Sequence, residues 1–210
     1  MIIAIDGPAA AGKGTLAKKL AEHYGFAHLD TGALYRAVAS RVLRAGASPD
    51  DADAAAREAQ ALTEADLKAE DLRSERVSDA ASRVATEPGV RAALLDFQRA
   101  FARRHPGGRS GAVVEGRDIG TVVLPDAEKK LFVTASAECR AERRWKELVS
   151  SGSAIRLEEV LKSVVERDRR DQERAQSSLR MAEGAFLLDT TKLDIDEAFT
   201  AAKAYISGPN

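Results

Sequence analysis

The first fifteen residues, Met1-Ile-Ile-Ala-Ile-Asp-Gly-Pro-Ala-Ala-Ala-Gly-Lys-Gly-Thr15, decide the fold of this chain. The apolar run at 2–5 predicts a buried strand, and the small residues after it predict a tight loop. A helical pattern follows, with Leu16 and Leu20 on one side. A strand, a glycine-rich loop and a helix in this order are the setting of a phosphate-binding loop. We therefore predict an anion site between the first strand and the first helix.

The residue types in this loop suit a nucleoside triphosphate. Glycine lets the backbone turn its N–H groups toward an anion, and the start of a helix adds partial positive charge. Lys13 supplies a point charge for the β- and γ-phosphates, although Gly14 separates it from the hydroxyl of Thr15. A glycine-rich turn without a ligand is the alternative, and the agreement of loop, lysine and hydroxyl disfavours it. The residues predicted to hold ATP are Gly7, Pro8, Ala9, Ala10, Ala11, Gly12, Lys13, Gly14 and Thr15.

Length, charge and cysteine content narrow the class of protein. A chain of 210 residues makes one domain of ordinary size. Its 32 basic and 33 acidic residues nearly balance, which argues against a nucleic-acid or membrane-surface partner. The single cysteine cannot form an internal disulfide, and no apolar run approaches the roughly 20 residues of a membrane helix. The chain begins with a core strand instead of a leader segment, so we expect a cytoplasmic protein. We also expect it to be a monomer.

Five short apolar runs predict buried parallel strands, at residues 2–6, 27–30, 111–115, 130–134 and 185–189. Helical patterns separate them, as in a doubly wound α/β fold. The strand-poor segment 45–85 predicts a helical excursion, which carries either substrate-binding elements or a peripheral decoration. Val90, Leu94, Phe97 and Phe101 repeat at helical spacing and are predicted to face the core.

Polar residues follow the second and third predicted strands, where ligands of parallel sheets bind. Asp30 and Thr31 open a helix, either as N-terminal caps, together with Gly32, or as ligands. Glu115 ends the third strand, at the position where phosphate-binding-loop enzymes place the carboxylate that orients Mg²⁺. The predicted metal ligands are therefore Thr15 and Glu115. Arg117 and Asp118 come next, as ligands or as a surface ion pair.

Charged residues take over the apolar stripe of a helix near the C-terminal end. The stripe begins with Leu157, Val160, Leu161 and Val164, and it continues with Arg167, Asp171 and Arg174. A solvated helix with ion pairs such as Glu166–Arg170 and Arg167–Asp171 is the alternative. A cleft for phosphate and ribose explains better why the charges lie on the inward stripe.

A second arginine cluster comprises Arg140, Arg143 and Arg144 on one helical face. The cluster precedes the short Ser150–Ser153 hinge, so it either moves onto the polyphosphate when a flap closes or pairs with Glu142 and Glu147. We predict that Arg143 contacts ATP.

The chain resembles the bacterial cytidylate kinases, and Gly-Lys-Gly-Thr is a loop variant of nucleoside monophosphate kinases. The matching segments are 5–15, Leu29-Asp-Thr-Gly-Ala-Leu-Tyr-Arg36, 80–82 with Val90-Arg91, Glu115-Gly-Arg-Asp-Ile-Gly-Thr-Val-Val-Leu-Pro-Asp-Ala127 and 167–174. The resemblance implies a three-layer α/β fold with a five-stranded parallel core at 1–45, 86–148 and 175–210. It also implies a short monophosphate-binding insertion at about 46–85 and a helical lid at about 149–174.

The resemblance further implies transfer of the γ-phosphoryl group of MgATP to CMP or dCMP. By position, the catalytic residues would be Lys13, Arg36, Arg117 and Arg174. The cytosine would be bound by Thr31, Ser82, Arg91 and Asp118, the ribose by Arg167 and Asp171, and Tyr35 would also contact the acceptor.

This sequence departs from the family pattern at two places. The family more often has Asp where Glu115 stands, and the segment between Arg36 and Ser82 is short. Two other classes of function stay open: a kinase for another acceptor such as UMP, AMP or shikimate, and a module that only binds or hydrolyses ATP. The inward Arg/Asp stripe argues against the simple ATP module.

Overall fold

A computed structural model of the chain describes residues 1–173 and 178–208. It contains one parallel sheet with the strand order β2-β3-β1-β4-β5. The strands are β1 (Ile2–Asp6), β2 (Ala27–Asp30), β3 (Ala112–Glu115), β4 (Lys129–Thr134) and β5 (Phe186–Asp189). All five predicted strands are confirmed, with bounds that differ by at most one residue. The strand that precedes the glycine-rich loop lies at the centre of the sheet.

Helices flank the sheet, and the α/β prediction is confirmed. The helices are α1 (Lys13–Tyr24), α2 (Thr31–Arg44), α3 (Ala52–Gln60), α4 (Glu75–Val84), α5 (Pro88–Arg104), α6 (Ala137–Ser150), α7 (Leu157–Glu173) and α8 (Ile195–Ser207). Short 3₁₀ turns lie at Asp66–Lys68 and Glu70–Arg73, and one π-helical turn spans Ile119–Val123. None of the described helices is both long enough and apolar enough to cross a membrane.

The chain divides into two compact units. The larger unit comprises Met1–His28 and His105–Asn210, and the smaller unit is Leu29–Arg104. In the larger unit α1 and α8 pack with the sheet, and Ile3, Ile5 and Leu131 are fully buried between them. The register pairs Ile5 with Glu115, so the carboxyl ends of β1 and β3 lie side by side. This is the edge at which the predicted ligand residues accumulate.

In the smaller unit α2 packs against α4, and α3 packs against α5. The predicted helical excursion at 45–85 is confirmed, because this fully described segment holds helices and turns without a strand. The carboxylate of Asp66 accepts hydrogen bonds from the Thr63 hydroxyl at 2.8 Å and from Arg41 on α2 at 3.1 Å. The hydrogen bond from the Thr63 hydroxyl is the main reason why the pKa of Asp66 is lower than its ordinary value. These bonds fix the 3₁₀ segment to α2.

Two predicted core stripes need correction. On α5 the buried row is Val90, Leu94, Gln98 and Ala102, whereas Phe97 is 49% exposed and Phe101 is half-buried. The buried side keeps a spacing of four residues, and Gln98 is accommodated because its amide donates to the Leu94 carbonyl at 3.0 Å. On α7 Leu157 is exposed because it lies in the first turn, whereas Val160 and Val164 are buried as predicted.

Candidate active site

The loop between β1 and α1 is shaped to surround an anion. Gly7, Ala10 and Gly12 have φ values of 145°, 58° and 87°, so the backbone repeatedly enters the left-handed region. Such turns point successive N–H groups into one concavity. A Cβ at Gly7 would lie 1.9 Å from the carbonyl oxygen of Val133 on β4, which only glycine avoids. The backbone of this loop therefore has the repeated positive φ values that a phosphate-binding loop requires.

The first turn of α1 points into the same concavity. No side chain caps this helix, because the N-cap residue is Gly12. The N–H groups of an uncapped first turn, together with the helix dipole, favour a bound anion. Lys13 is only 6% exposed, and its ammonium group donates to the Pro8 carbonyl at 2.7 Å. Lys13 therefore lies against the loop, with its ammonium group bonded to the loop backbone.

A buried carboxylate joins this loop to the next site segment. Asp6 ends β1, and its carboxylate accepts hydrogen bonds from the backbone N–H groups of Ile119 and Gly120, both at 2.7 Å. Burial raises the pKa of Asp6 to about 6. The backbone N–H donors and the charge of Lys13 favour the ionised form, but desolvation outweighs them. The sequence analysis assigned no role to Asp6.

Glu115 lies beside the start of α1. A Cβ at Gly14 would be 3.4 Å from its Oε1, so the carboxylate adjoins the turn that carries Thr15. His28 on β2 contacts the same oxygen at 3.1 Å through Nε2 and orients the carboxylate. A carboxylate and a hydroxyl are hard oxygen ligands of the kind Mg²⁺ prefers. No group of three or more His, Cys, Asp or Glu side chains that could bind a metal occurs among residues 1–173 and 178–208.

The carboxylates of α7 face arginines. Asp171, which is only 1% exposed, accepts from Nε of Arg117 at 2.8 Å. Within the described part of α7, the predicted inward stripe therefore does contain a buried charge, at Asp171. Arg167 is half-buried on the same helix. The proposed ion pair between Glu166 and Arg170 is present at 3.8 Å.

Arg140 is fixed by three elements. Its guanidinium donates to the Ala135 carbonyl at 2.9 Å, to the Ala9 carbonyl at 3.3 Å, and to both oxygens of Asp168 at 2.9 and 2.5 Å. It is 4% exposed. The two alternatives for the arginine cluster therefore do not describe Arg140, which is part of the fold. Arg144 pairs with Glu147 at 2.9 Å, as the ion-pair alternative predicts.

Arg143 lies near the glycine-rich loop. It donates to the hydroxyl and the carbonyl oxygen of Thr190 at 2.9 and 2.7 Å. The Thr190 hydroxyl is 3.0 Å from the carbonyl oxygen of Ala11, and a Cβ at Gly12 would be 3.9 Å from Arg143 Nη1. Thr190, which follows β5, is a further residue beside the loop to which the sequence analysis assigned no role.

In the smaller unit, Asp30 and Arg36 form an ion pair at the start of α2. The carboxylate of Asp30 accepts from the Ala33 N–H at 3.0 Å and from Arg36 at 2.7 Å. Asp30 is thus the N-cap, and the prediction that Thr31 and Gly32 cap the helix is wrong because α2 already begins at Thr31. Thr31 is buried in this first turn.

The other acceptor candidates of the smaller unit lie on α2, α4 and α5. The guanidinium carbon of Arg91 is 5.9 Å from the centre of the Tyr35 ring, within the range of a cation–π contact. Ser82 is 1% exposed, and its hydroxyl has no hydrogen-bond partner within the described ranges. A buried hydroxyl without a partner is costly, so it is a candidate ligand group. Arg174 lies outside the described residues.

The structure groups the candidates by unit. The larger unit brings together the glycine-rich loop, Glu115, Arg117, Asp118 and Asp171 around the carboxyl ends of β1 and β3. The smaller unit brings Tyr35 and Arg91 together and keeps Arg36 with Asp30. His28, Asp6 and Thr190 escaped the sequence analysis because their partners are distant in the chain. The position of Asp6, directly before Gly7 at a strand end, was the available signal.

Comparison with known proteins identifies the family of this chain. The family model described as "Cytidylate kinase" matches residues 3–207. A crystal structure of an uncharacterized protein from Eubacterium ventriosum superposes with a TM-score of 0.58 at 16% sequence identity. That superposition covers 100% of this chain and 99% of the other, and it shows a shared fold.

Curated relatives are far more similar in sequence. The cytidylate kinase of Paramagnetospirillum magneticum is 58% identical over 205 residues, covering 98% of this chain and 97% of that protein. The cytidylate kinase of Azorhizobium caulinodans is 54% identical over 206 residues, covering 98% of each. That of a Caulobacter species is 50% identical, covering 98% of this chain and 93% of that protein. With a glycine-rich phosphate loop, a facing carboxylate and this similarity along nearly its whole length, the chain belongs to the cytidylate kinase family.

Proposed function

We propose that this chain transfers the γ-phosphoryl group of ATP to CMP or dCMP, giving ADP with CDP or dCDP. The observation that carries the proposal is the loop of residues 7–12. It forms an anion nest before an uncapped helix, in a chain more than half identical to curated cytidylate kinases. The activity in the names of those relatives is the basis for the choice of acceptor.

The donor phosphates bind to the backbone N–H groups of the loop and the first turn of α1 in this proposal. Lys13 neutralises charge on the β- and γ-phosphates, from a position where its chain is already held by the Pro8 carbonyl. Arg143, next to Gly12, approaches the nucleotide from the side of α6.

We further propose that Thr15 and Glu115 hold Mg²⁺, with His28 fixing the rotamer of the carboxylate. Bound there, the ion would neutralise the phosphate oxygens and keep them aligned. Glu115 is one methylene longer than the Asp that the family more often has at this position, and its Oε1 lies 3.1 Å from His28 Nε2.

The acceptor residues in this proposal are those that the family resemblance implies. Arg36, Arg117 and Arg174 bind its phosphate and the transferred group, while Arg167 and Asp171 bind the ribose. Thr31, Tyr35, Ser82, Arg91 and Asp118 form the cytosine site. Arg117 and Asp171 satisfy each other in this structure, so substrate would exchange that ion pair for its own hydrogen bonds. We assign the monophosphate-binding insertion to about 46–85 and the lid to about 149–174.

The reaction needs charge neutralisation and alignment more than a general base. The acceptor phosphate is already anionic, so the difficulty is the repulsion between two anions. Fixed cations and N–H groups stabilise the charge of the transition state, and holding both reactants in line contributes up to about 7–11 kcal/mol. No covalent enzyme intermediate is required.

The test is an ADP-release assay with CMP, dCMP, UMP, AMP and shikimate in turn. CMP and dCMP should raise ADP release at least about tenfold over ATP alone. Lys13→Met should abolish that increase, whereas the matched control Lys203→Met on α8 should leave it unchanged. ADP release that does not increase when an acceptor is added would instead support a module that only binds or hydrolyses ATP. A preference for UMP, AMP or shikimate would replace the proposed substrate. Light scattering of the same sample tests our expectation of a monomer.

A further inference from the structure

The carboxylate of Asp6 makes two unusually favourable contacts with one loop. Oδ1 accepts from the Ile119 N–H and Oδ2 from the Gly120 N–H, each at 2.7 Å. Ordinary N–H···O bonds are about 2.9–3.0 Å long, and shorter bonds are typical of a charged acceptor. Asp6 is 3% exposed, so water does not compete for either bond. The carboxylate therefore fixes the direction of two successive peptide groups.

The loop is built to admit this carboxylate. A Cβ at Gly120 would lie 3.4 Å from Asp6 Oδ2 and 3.2 Å from the Ala182 side chain, so glycine permits the close approach. The N–H groups of Val122 and Val123 donate to the Asp118 carbonyl and close the π-helical turn that contains Ile119 and Gly120. Arg117 and Asp118 stand immediately before the two clamped peptides.

Asp6 lies between the two segments to which the donor and the acceptor are assigned. Along the chain it directly precedes Gly7, the first residue of the phosphate loop. Across the sheet, β1 pairs with β3, whose end carries Glu115 and then Arg117 and Asp118. One side chain thus connects the donor loop with the segment assigned to the acceptor.

This arrangement costs folding free energy. Burial raises the pKa of Asp6 to about 6, which means that its ionised form at neutral pH destabilises the native state. Two charged groups face it from neighbouring elements: Lys13 from α1 favours ionisation, and Asp118 opposes it. Lys130 on β4 adds a nearby aliphatic chain, 3.4 Å from a Cβ at Gly120. A carboxylate that lowers stability where it stands is typical of a functional site.

We propose that Asp6 is a positioning residue for the acceptor: it holds peptides 118–120 so that Arg117 and Asp118 are oriented toward the nucleoside monophosphate. This proposal rests on the proposed function. Asp6 itself does not touch either nucleotide. Its effect is transmitted through the loop, and the donor site, formed by the backbone of residues 7–12, is held independently by Gly7 and Lys13.

The test compares wild type with Asp6→Asn at pH 7.5. Asparagine keeps the shape but offers one acceptor oxygen, and its NH₂ group faces the second backbone N–H. We expect KM for CMP to rise about tenfold, the effect of roughly 1.4 kcal/mol of lost orientation, while KM for ATP changes less than about twofold. Lys129→Met is the matched control, because it removes another buried charge of the sheet, one that donates to the Gly208 carbonyl. It should change neither KM.

A pH series separates positioning from simple structural damage. The phosphate of CMP titrates near pH 6 as well, so the readout is the ratio of KM for CMP between variant and wild type at each pH. That ratio should be about ten at pH 7.5 and approach one at pH 5, where wild-type Asp6 is protonated too. A ratio that stays constant with pH, or an equal rise in KM for ATP, would overturn the proposal.

A measurement on the wild type covers the case in which the variant fails to fold. The backbone amide protons of Ile119 and Gly120 should shift together in NMR spectra with a midpoint near pH 6. Independent or absent titration of the two amides would contradict the clamp. Failure of the proposed function looks different: wild-type protein would not phosphorylate CMP, although the two amides would still titrate together.

Discussion

Gly7 is the residue at which the phosphate loop has the least freedom. Its φ of 145° and the carbonyl oxygen of Val133, 1.9 Å from a hypothetical Cβ, both exclude a side chain. The loop can therefore approach β4 only because this position lacks a Cβ. The conformation of the anion nest depends on that approach.

Gly7→Ala should abolish ATP binding. It should also lower the free energy of unfolding by more than the strain of a positive φ alone would. Gly25→Ala is the control, since Gly25 also has a positive φ, 66°, but nothing lies within 4 Å of its hypothetical Cβ. The control should cost about 1–2 kcal/mol and keep ATP affinity. Urea unfolding and ATP titration of both variants check this. Equal losses in the two variants would show that the collision with Val133 is relieved.

At this scale the sequence predicted residues whose role follows from a local motif. Lys13 was predicted from the glycine-rich loop motif, and Glu115 was predicted from its position at the end of a strand. Asp6 and Ile119 are 113 residues apart, and their hydrogen bond exists only because β1 and β3 pair. No spacing rule covers such a contact.

At the scale of elements, α7 is anchored by two arginine–aspartate pairs. Asp168 binds Arg140 of α6, and Asp171 binds Arg117 after β3. The two aspartates are three residues apart and therefore lie on one helical face. Val160 and Val164 extend that face as a small apolar cluster with α6. The helix proposed as part of the lid thus has a polar anchor at one end and an apolar one at the other.

Arg140→Met should destabilise the larger unit by about 3 kcal/mol, because it leaves the Asp168 carboxylate and two backbone carbonyls without their donor. Loss of the contact with Ala9 should also weaken ATP binding. Arg169→Met is the control: this arginine pairs with Glu166 and Glu173 on the exposed side of α7 and should cause no measurable change. Unfolding curves in urea and ATP titration are the measurements. Wild-type stability of the Arg140 variant would contradict the structural role given to the pair.

The types of the elements and their order were predictable from the sequence, but the buried side of a helix was less predictable. The strands were read from apolar runs bounded by turn residues, which depend on local sequence alone. Phe97 was assigned to the core of α5 because it continues the apolar repeat of this helix at helical spacing, yet Gln98 takes that place. Which side of a helix is buried depends on the neighbour, and here α3 packs against α5. A polar side chain that satisfies itself on its own helix can then be buried.

For the whole molecule, the buried carboxylates of Asp6 and Asp66 change the stability with pH in opposite directions. Asp66 has a lowered pKa, chiefly through the Thr63 hydroxyl, so its contribution is present above the ordinary carboxyl pKa and is lost in stronger acid. Asp6 has a raised pKa, so it stabilises the protonated native state and this contribution is lost as the pH rises from 3.8 to about 6. The two effects occupy adjacent pH ranges.

We expect the free energy of unfolding of Asp6→Asn, relative to wild type, to rise by about 3 kcal/mol between pH 3 and pH 7. The figure follows from a pKa shift from 3.8 to about 6 at roughly 1.4 kcal/mol for each pH unit. Urea unfolding at several pH values measures it. Asp66→Asn is the matched control, and its difference from wild type should change mainly below pH 4. A pH-independent difference for Asp6→Asn would show that its carboxylate is not perturbed by burial.

The sequence by itself determined the parallel α/β architecture, the phosphate loop and the family, since each is written in contiguous segments whose local geometry follows from residue type. Only the tertiary structure decided which charges meet. The clamp from Asp6 to Ile119 and Gly120, the pairing of Arg140 with Asp168, and the contact between His28 and Glu115 join residues far apart in the chain. The physical reason is burial: removing these groups from water makes each partner necessary, and only the packed sheet brings the partners within reach.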